Sequence, residues 1–186
     1  MMLLAVSMFS FTACSSRRNL TKTENQTNEF IHIESEPEKP MELIKPKNTE
    51  DPIILAEMDA ADAGKKVLEI GRGMALDEKT IVKGSCWDYI NEVYRRAGYQ
   101  TEKTVVFKSP KSGPYADVSI IKPGDWIYYV NYSYNMVEHS GIFVYWEDFD
   151  NKIGVTLSYG GEHRNEPGRY RSYDLKSVYY ITRPGK

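Results

Sequence analysis

Cys86 and His139 are the residues whose types and settings suit nucleophilic chemistry. Ser85, with Asp88 three positions on, reads as a variant capping box that opens a helix, so Cys86 falls in that helix's first turn. There the positive end of the helix dipole and unsatisfied backbone N–H groups favour thiolate over thiol. The plainer role for a free cysteine is a small buried hydrophobe that packs the helix on a sheet. His139 opens the run His139-Ser140-Gly141-Ile142-Phe143-Val144-Tyr145-Trp146, which reads as a strand. An imidazole at a sheet end is placed where a neighbouring helix N-terminus could meet it, although a hydrogen-bonded surface histidine would look the same in sequence. Together the pair suits attack of a thiolate on a carbonyl, with acyl transfer through a thioester.

The elements around these residues follow from periodicity. Asp51 can cap a helix whose first residue is Pro52, and Ile54, Met58, Ala61, Lys65 and Leu68 continue a helical stripe to about Gly71. The helix of Cys86 carries Ile90, Val93, Tyr94 and Ala97 and should stop at Gly98. Beyond Gly98 the pattern changes to short β-branched and aromatic runs at 104–107, 125–130, 139–146, 153–159 and 178–182. Pro123-Gly124-Asp125 and residues 147–152 supply turn chemistry between them. Helices first and strands afterwards predict an α+β domain, its N-terminal helices packed on a mainly antiparallel sheet of five or six strands.

The chain has 186 residues, with 24 Lys plus Arg against 26 Asp plus Glu and a net charge of -2. Residues 52–186 carry equal numbers of basic and acidic groups, so no basic surplus is available for a nucleic-acid backbone. Two cysteines cannot make a disulfide framework, and His32, His139 and His163 have no metal-ligand spacing, so neither a metal nor another cofactor is expected. Outside the N-terminus no apolar run approaches the roughly 20 residues that span a bilayer.

Residues 1–13 are uncharged and mostly apolar, a short export-signal core rather than a spanning helix. Phe11-Thr12-Ala13-Cys14 resembles the bacterial lipobox, which implies that Cys14 is acylated and becomes the mature N-terminus. Residues 14–51 hold Pro37, Pro40 and Pro46, many carboxylates and few large apolar side chains, and read as a tether too polar to fold alone. The expected organisation is a signal peptide at 1–13, a tether at 14–51 and one folded domain at 52–186. Localisation would be the cell envelope, lipid-anchored to the outer membrane or cell surface.

The segment from Cys86 to Arg183 resembles the NlpC/P60 and CHAP group of the papain-like cysteine peptidases and amidases. The resemblance rests on Cys-Trp-Asp-Tyr-Ile-Asn-Glu-Val-Tyr-Arg-Arg-Ala-Gly at 86–98, Ile121-Lys122-Pro123-Gly124-Asp125-Trp126, and His139-Ser140-Gly141-Ile142-Phe143. It departs from the group in carrying Trp87-Asp88 where Ser-Gly commonly follows the cysteine. The resemblance implies a papain-like fold, Cys86 as nucleophile, His139 as general base, and peptides of the bacterial wall as substrate. It also implies a third, imidazole-orienting residue on the strand after that of the histidine. If Glu147 pairs with Lys152 across the turn, Gly141 faces Ser158, which then shares His139's side of the sheet. A one-residue slip brings up Tyr159 instead, and Glu162 and His163 lie just beyond.

The expected function is thus a membrane-anchored, monomeric cysteine hydrolase that cleaves amide bonds in peptidoglycan stem peptides. Lipid or thioester acyl transfer on a similar fold is an alternative, as is a wall-binding lipoprotein without turnover. Arg164, Arg169 and Arg171 form a charged stretch that reads as a solvated loop, or as a groove edge that meets a substrate carboxylate.

Overall fold

A computed structural model describes residues 51–185, so Cys14, the signal peptide and the tether up to residue 50 lie outside the described residues. Three helices, α1 (Pro52–Asp59), α2 (Asp62–Arg72) and α3 (Cys86–Ala97), precede six strands. The strands are β1 (Lys103–Lys108), β2 (Trp126–Asn131), β3 (Val137–Asp148), β4 (Ile153–Ser158), β5 (Arg169–Asp174) and β6 (Val178–Pro184). They form one antiparallel, open sheet in the order β1-β6-β2-β3-β4-β5. The domain is therefore α+β, with its helices packed on a six-stranded sheet.

The first apolar stripe makes two helices rather than one. Asp51 caps α1 by accepting from Ile53 N–H at 2.9 Å, but Ala60 and Ala61 are extended and re-aim the chain into α2. The new direction lets Gly64 meet the turn at Pro123-Gly124 so closely that a Cβ on Gly64 would stand 2.4 Å from the Pro123 carbonyl oxygen. Gly71 does not stop the helix, as its composition suggests. It is buried against β4, and a Cβ there would meet Leu157 Cδ2 at 2.6 Å. The helix runs to Arg72 and passes into a π-turn at Gly73–Asp77.

Helix α3 begins as its capping pair requires. Ser85 N–H and Oγ–H donate to the Asp88 carboxylate at 2.7 and 2.9 Å, which holds that carboxyl below its usual range. Gly98 closes the helix in the left-handed region with φ 87°. Its inner face buries Tyr89, Ile90, Val93, Tyr94 and Ala97 against Trp126, Ile142, Val144 and Leu157. Each such fully buried large side chain contributes about 1.5–3 kcal/mol, and these residues fix α3 to the sheet. Tyr94 adds a hydrogen bond from its hydroxyl to Gly124 O at 2.7 Å.

Strand alternation divides β3 between two cores. Ile142 and Val144 face the helices, whereas Phe143 joins Ile127, Tyr129, Val178 and Ile181 on the other side, beneath Ala116, Val118 and Ile121. Gly141 does oppose Ser158, but Asp148, not Glu147, pairs at the turn, with Ile153. Irregularities between Phe143 and Tyr145 and between Trp146 and Asp148 absorb the difference. A sixth strand, β5, occupies the charged stretch that reads as a loop and pairs with β4 along its whole length. At the opposite end of the sheet, buried Asp125 accepts from Arg183 at 2.8 Å through both carboxylate oxygens, tying β2 to β6.

Candidate functional site

Cys86 is the first residue of α3 and is half-buried. Its described hydrogen-bond neighbour is Ser140, whose hydroxyl donates to Sγ at 3.7 Å. Ser140 is 2% exposed and shares its strand face with Ile142, which is why it meets the helix that carries the thiol. Trp87 projects outward beside it and leans on Trp126 at 5.7 Å between ring centroids.

His139 lies one residue earlier, so alternation turns it to the opposite face. It pairs across the sheet with Tyr129, and its ring stands edge-on to the Tyr129 ring at 5.7 Å and tilted to that of Tyr173 at 5.5 Å. Burial pushes the imidazole pKa down to about 4, and the neighbouring Arg169 charge pushes the same way. At neutral pH the ring is uncharged, and both causes disfavour its protonated form. Among the described residues no hydrogen bond joins it to Cys86.

Ser158 ends β4 on the His139 face, where the register expects it. Its Oγ stands 3.1 Å from Tyr173 Oη and donates to Arg169 O at 3.4 Å, so its described partners are these and not the imidazole. Tyr159 faces the helices, stacks on Tyr89 at 4.6 Å and donates to Val82 O at 2.8 Å. That commitment removes it from the neighbourhood of the imidazole face. Glu162 and His163 sit in the 3₁₀ turn Glu162–Arg164.

Cys86, His139 and Ser158 nonetheless line one open cavity of about 920 Å³, together with Tyr173, Arg164 and Arg171. The thiol reaches it from the helix side of the sheet and the imidazole from the other. The turn between β2 and β3 and the segment Gly160–Arg164 form its rims. No group of three or more His, Cys, Asp or Glu among the described residues is placed to hold a metal, and none of the described helices is long and apolar enough to cross a membrane.

Two residues of this site escaped the sequence reading. Ser140 was legible from parity, since it sits two positions before the buried Ile142. Tyr173 was concealed because Arg169 and Arg171 masked a strand, although Arg169, Arg171 and Tyr173 against Tyr170 and Ser172 do alternate with period two. With this geometry in hand, no protein-family model, no curated protein and no solved structure matches the chain.

Proposed function

We propose that this chain is a cysteine hydrolase of the NlpC/P60 and CHAP papain-like type, tethered to a bacterial envelope by acylated Cys14, that cuts amide bonds in peptidoglycan stem peptides. The observation that carries the reading is Cys86 at the first position of a well-capped helix, opening into a cavity that His139 also lines. In this reaction His139, which faces the other side of the sheet but lines the same cavity, takes the thiol proton through a water in that cavity. Sγ then attacks the substrate carbonyl carbon, and the oxyanion is met by the Cys86 backbone N–H, a donor worth about 3 kcal/mol when well aimed. The C–N bond breaks as His139 returns its proton to the departing amine, leaving a thioester on Cys86. His139 then takes a proton from water, the hydroxide adds to the thioester carbon, and the C–S bond breaks with the proton returned to sulfur. Ser158 acts through Tyr173, whose ring packs on the imidazole.

The test compares the full chain and its Cys86→Ala variant on purified peptidoglycan and on stem peptides, with released fragments identified by mass spectrometry. Cleavage that disappears with Cys86→Ala supports the proposal and identifies the bond; no cleavage by the unaltered chain overturns it. One observation favours a second reading, a wall-binding lipoprotein without turnover: the imidazole is held against two tyrosine rings and not by the thiol. Sedimentation with peptidoglycan and no fragment release would select it.

A further inference from the structure

The cavity that holds Cys86 has one wall of an unusual composition. Arg164, Arg169 and Arg171 all line it, from the 3₁₀ turn and from β5. Arg169 pairs with Glu166 at 2.7 Å, but no described residue pairs with Arg164 or Arg171. The cavity's acidic side chains are largely committed elsewhere. Asp88 accepts from Ser85, and Glu138 accepts from Lys111 and from the Tyr179 hydroxyl. That leaves Glu162 as the remaining carboxylate of the lining.

The wall is also shaped. A Cβ at Gly160 would stand 2.4 Å from Arg164 Cδ, so the arginine stem lies flat on a bare stretch of backbone that no other residue type would leave open. Asn165, with φ 51°, ends the turn that sets this stem. Arg169 and Arg171 project from the same face of β5, beside the hydroxyls of Ser158 and Tyr173. Glu166 answers Arg169, so the charges of this wall left without a described counter-ion are those of Arg164 and Arg171. Arg169 also adds to the burial that keeps His139 neutral, as the lesser of the two causes.

We infer that this wall receives a carboxylate of the substrate, gripped by Arg164 and Arg171, and that the chain acts on acidic peptides whose free carboxylate lies near the bond presented to Cys86. Guanidinium forks match a planar carboxylate bidentately, and the adjoining hydroxyls add neutral donors. This inference rests on the hydrolase reading for its location. Its test is nonetheless one of binding and stands or falls by itself.

The experiment titrates the full-length Cys86→Ala chain, which holds substrate without turning it over, with a stem peptide bearing a free carboxylate and with the same peptide amidated at that position. Calorimetry should give about tenfold tighter binding of the acid, the worth of one good charged contact. Arg164→Ala combined with Arg171→Ala should bring the two peptides to equal affinity, and Gly160→Ala should narrow the preference by displacing the Arg164 stem while removing no charge. Circular dichroism checks that each variant is folded; if the double variant is not, Gly160→Ala and the single change Arg171→Gln carry the comparison. Equal affinity for acid and amide, a preference that survives in the folded variants, or no binding of either peptide overturns the inference. Cys86-dependent cleavage without a carboxylate preference would leave the hydrolase standing and this inference overturned. A preference without cleavage would do the reverse.

Discussion

Ser140 Oγ–H points at Cys86 Sγ across 3.7 Å, while His139, its neighbour in sequence, faces the other side of the sheet. The hydroxyl, buried and aimed at sulfur, is therefore the group that meets the thiol before any substrate arrives. Replacing Ser140 with Ala should slow alkylation of Cys86 by iodoacetamide about three- to tenfold near neutral pH, the worth of one hydrogen bond to a developing anion. The fold should survive, because the change removes one small atom. Rates measured on folded protein check it; an unchanged rate would mean that the hydroxyl only fills space.

His139 gives the domain a pH dependence whose sign is fixed. Its folded pKa, pushed down to about 4 by burial and Arg169, lies below the ordinary value of 6.5. The unfolded chain thus binds a proton first. The stabilisation is full above about pH 6.5 and drains away as pH falls toward about 4, by about 3 kcal/mol in all. Melting temperature against pH should fall less steeply in His139→Gln over that window. Arg169→Gln should retain most of the slope, because burial is the larger cause.

Asp125 and Arg183 hold β2 to β6 through a doubly bonded ion pair. Burial pushes the Asp125 carboxyl above its usual range in spite of Arg183. Asp125→Ala strands the guanidinium and should cost about 3 kcal/mol, whereas Asp125→Asn, which can keep one acceptor, should cost less. Denaturant titration of the two variants separates them.

Gly71 offers a test of close packing between α2 and β4. Gly71→Ala drives a methyl into Leu157 Cδ2, itself buried, and should destabilise by about 1–3 kcal/mol through overpacking. Pairing it with Leu157→Val should recover part of the loss if the contact is the cause.

Much of this architecture was legible in the chain, and the failures have physical origins. The Ser85–Asp88 cap, the Gly98 stop and five strands follow from local rules that the fold does not override. The split between α1 and α2 was hidden because Ala60 and Ala61 are good helix formers, and only a tertiary approach, Gly64 against Pro123, demands the break. The Gly141–Ser158 pairing came from counting back from a turn that the chain does not make, and two irregularities in β3 restored the count. The strand β5 was hidden by its charge, since arginines at a cavity wall resemble those of a solvated loop. Strand parity shows which face His139 takes; that Tyr173 lies against it depends on a strand that local reading did not yield.

An open sheet exposes two rows of unpaired backbone groups, here along β1 and β5. The β1 edge carries exposed Val105, yet its register shifts between Val105 and Phe107 and lysines stand at both its ends. The β5 edge presents Arg169 and Arg171. An irregular, cationic margin is a poor template for a second copy, because joining two such edges would misalign their amides and crowd like charges. The arginines that face the cavity therefore also discourage fibrillar self-association, and a variant stripped of them should be watched for turbidity on concentration.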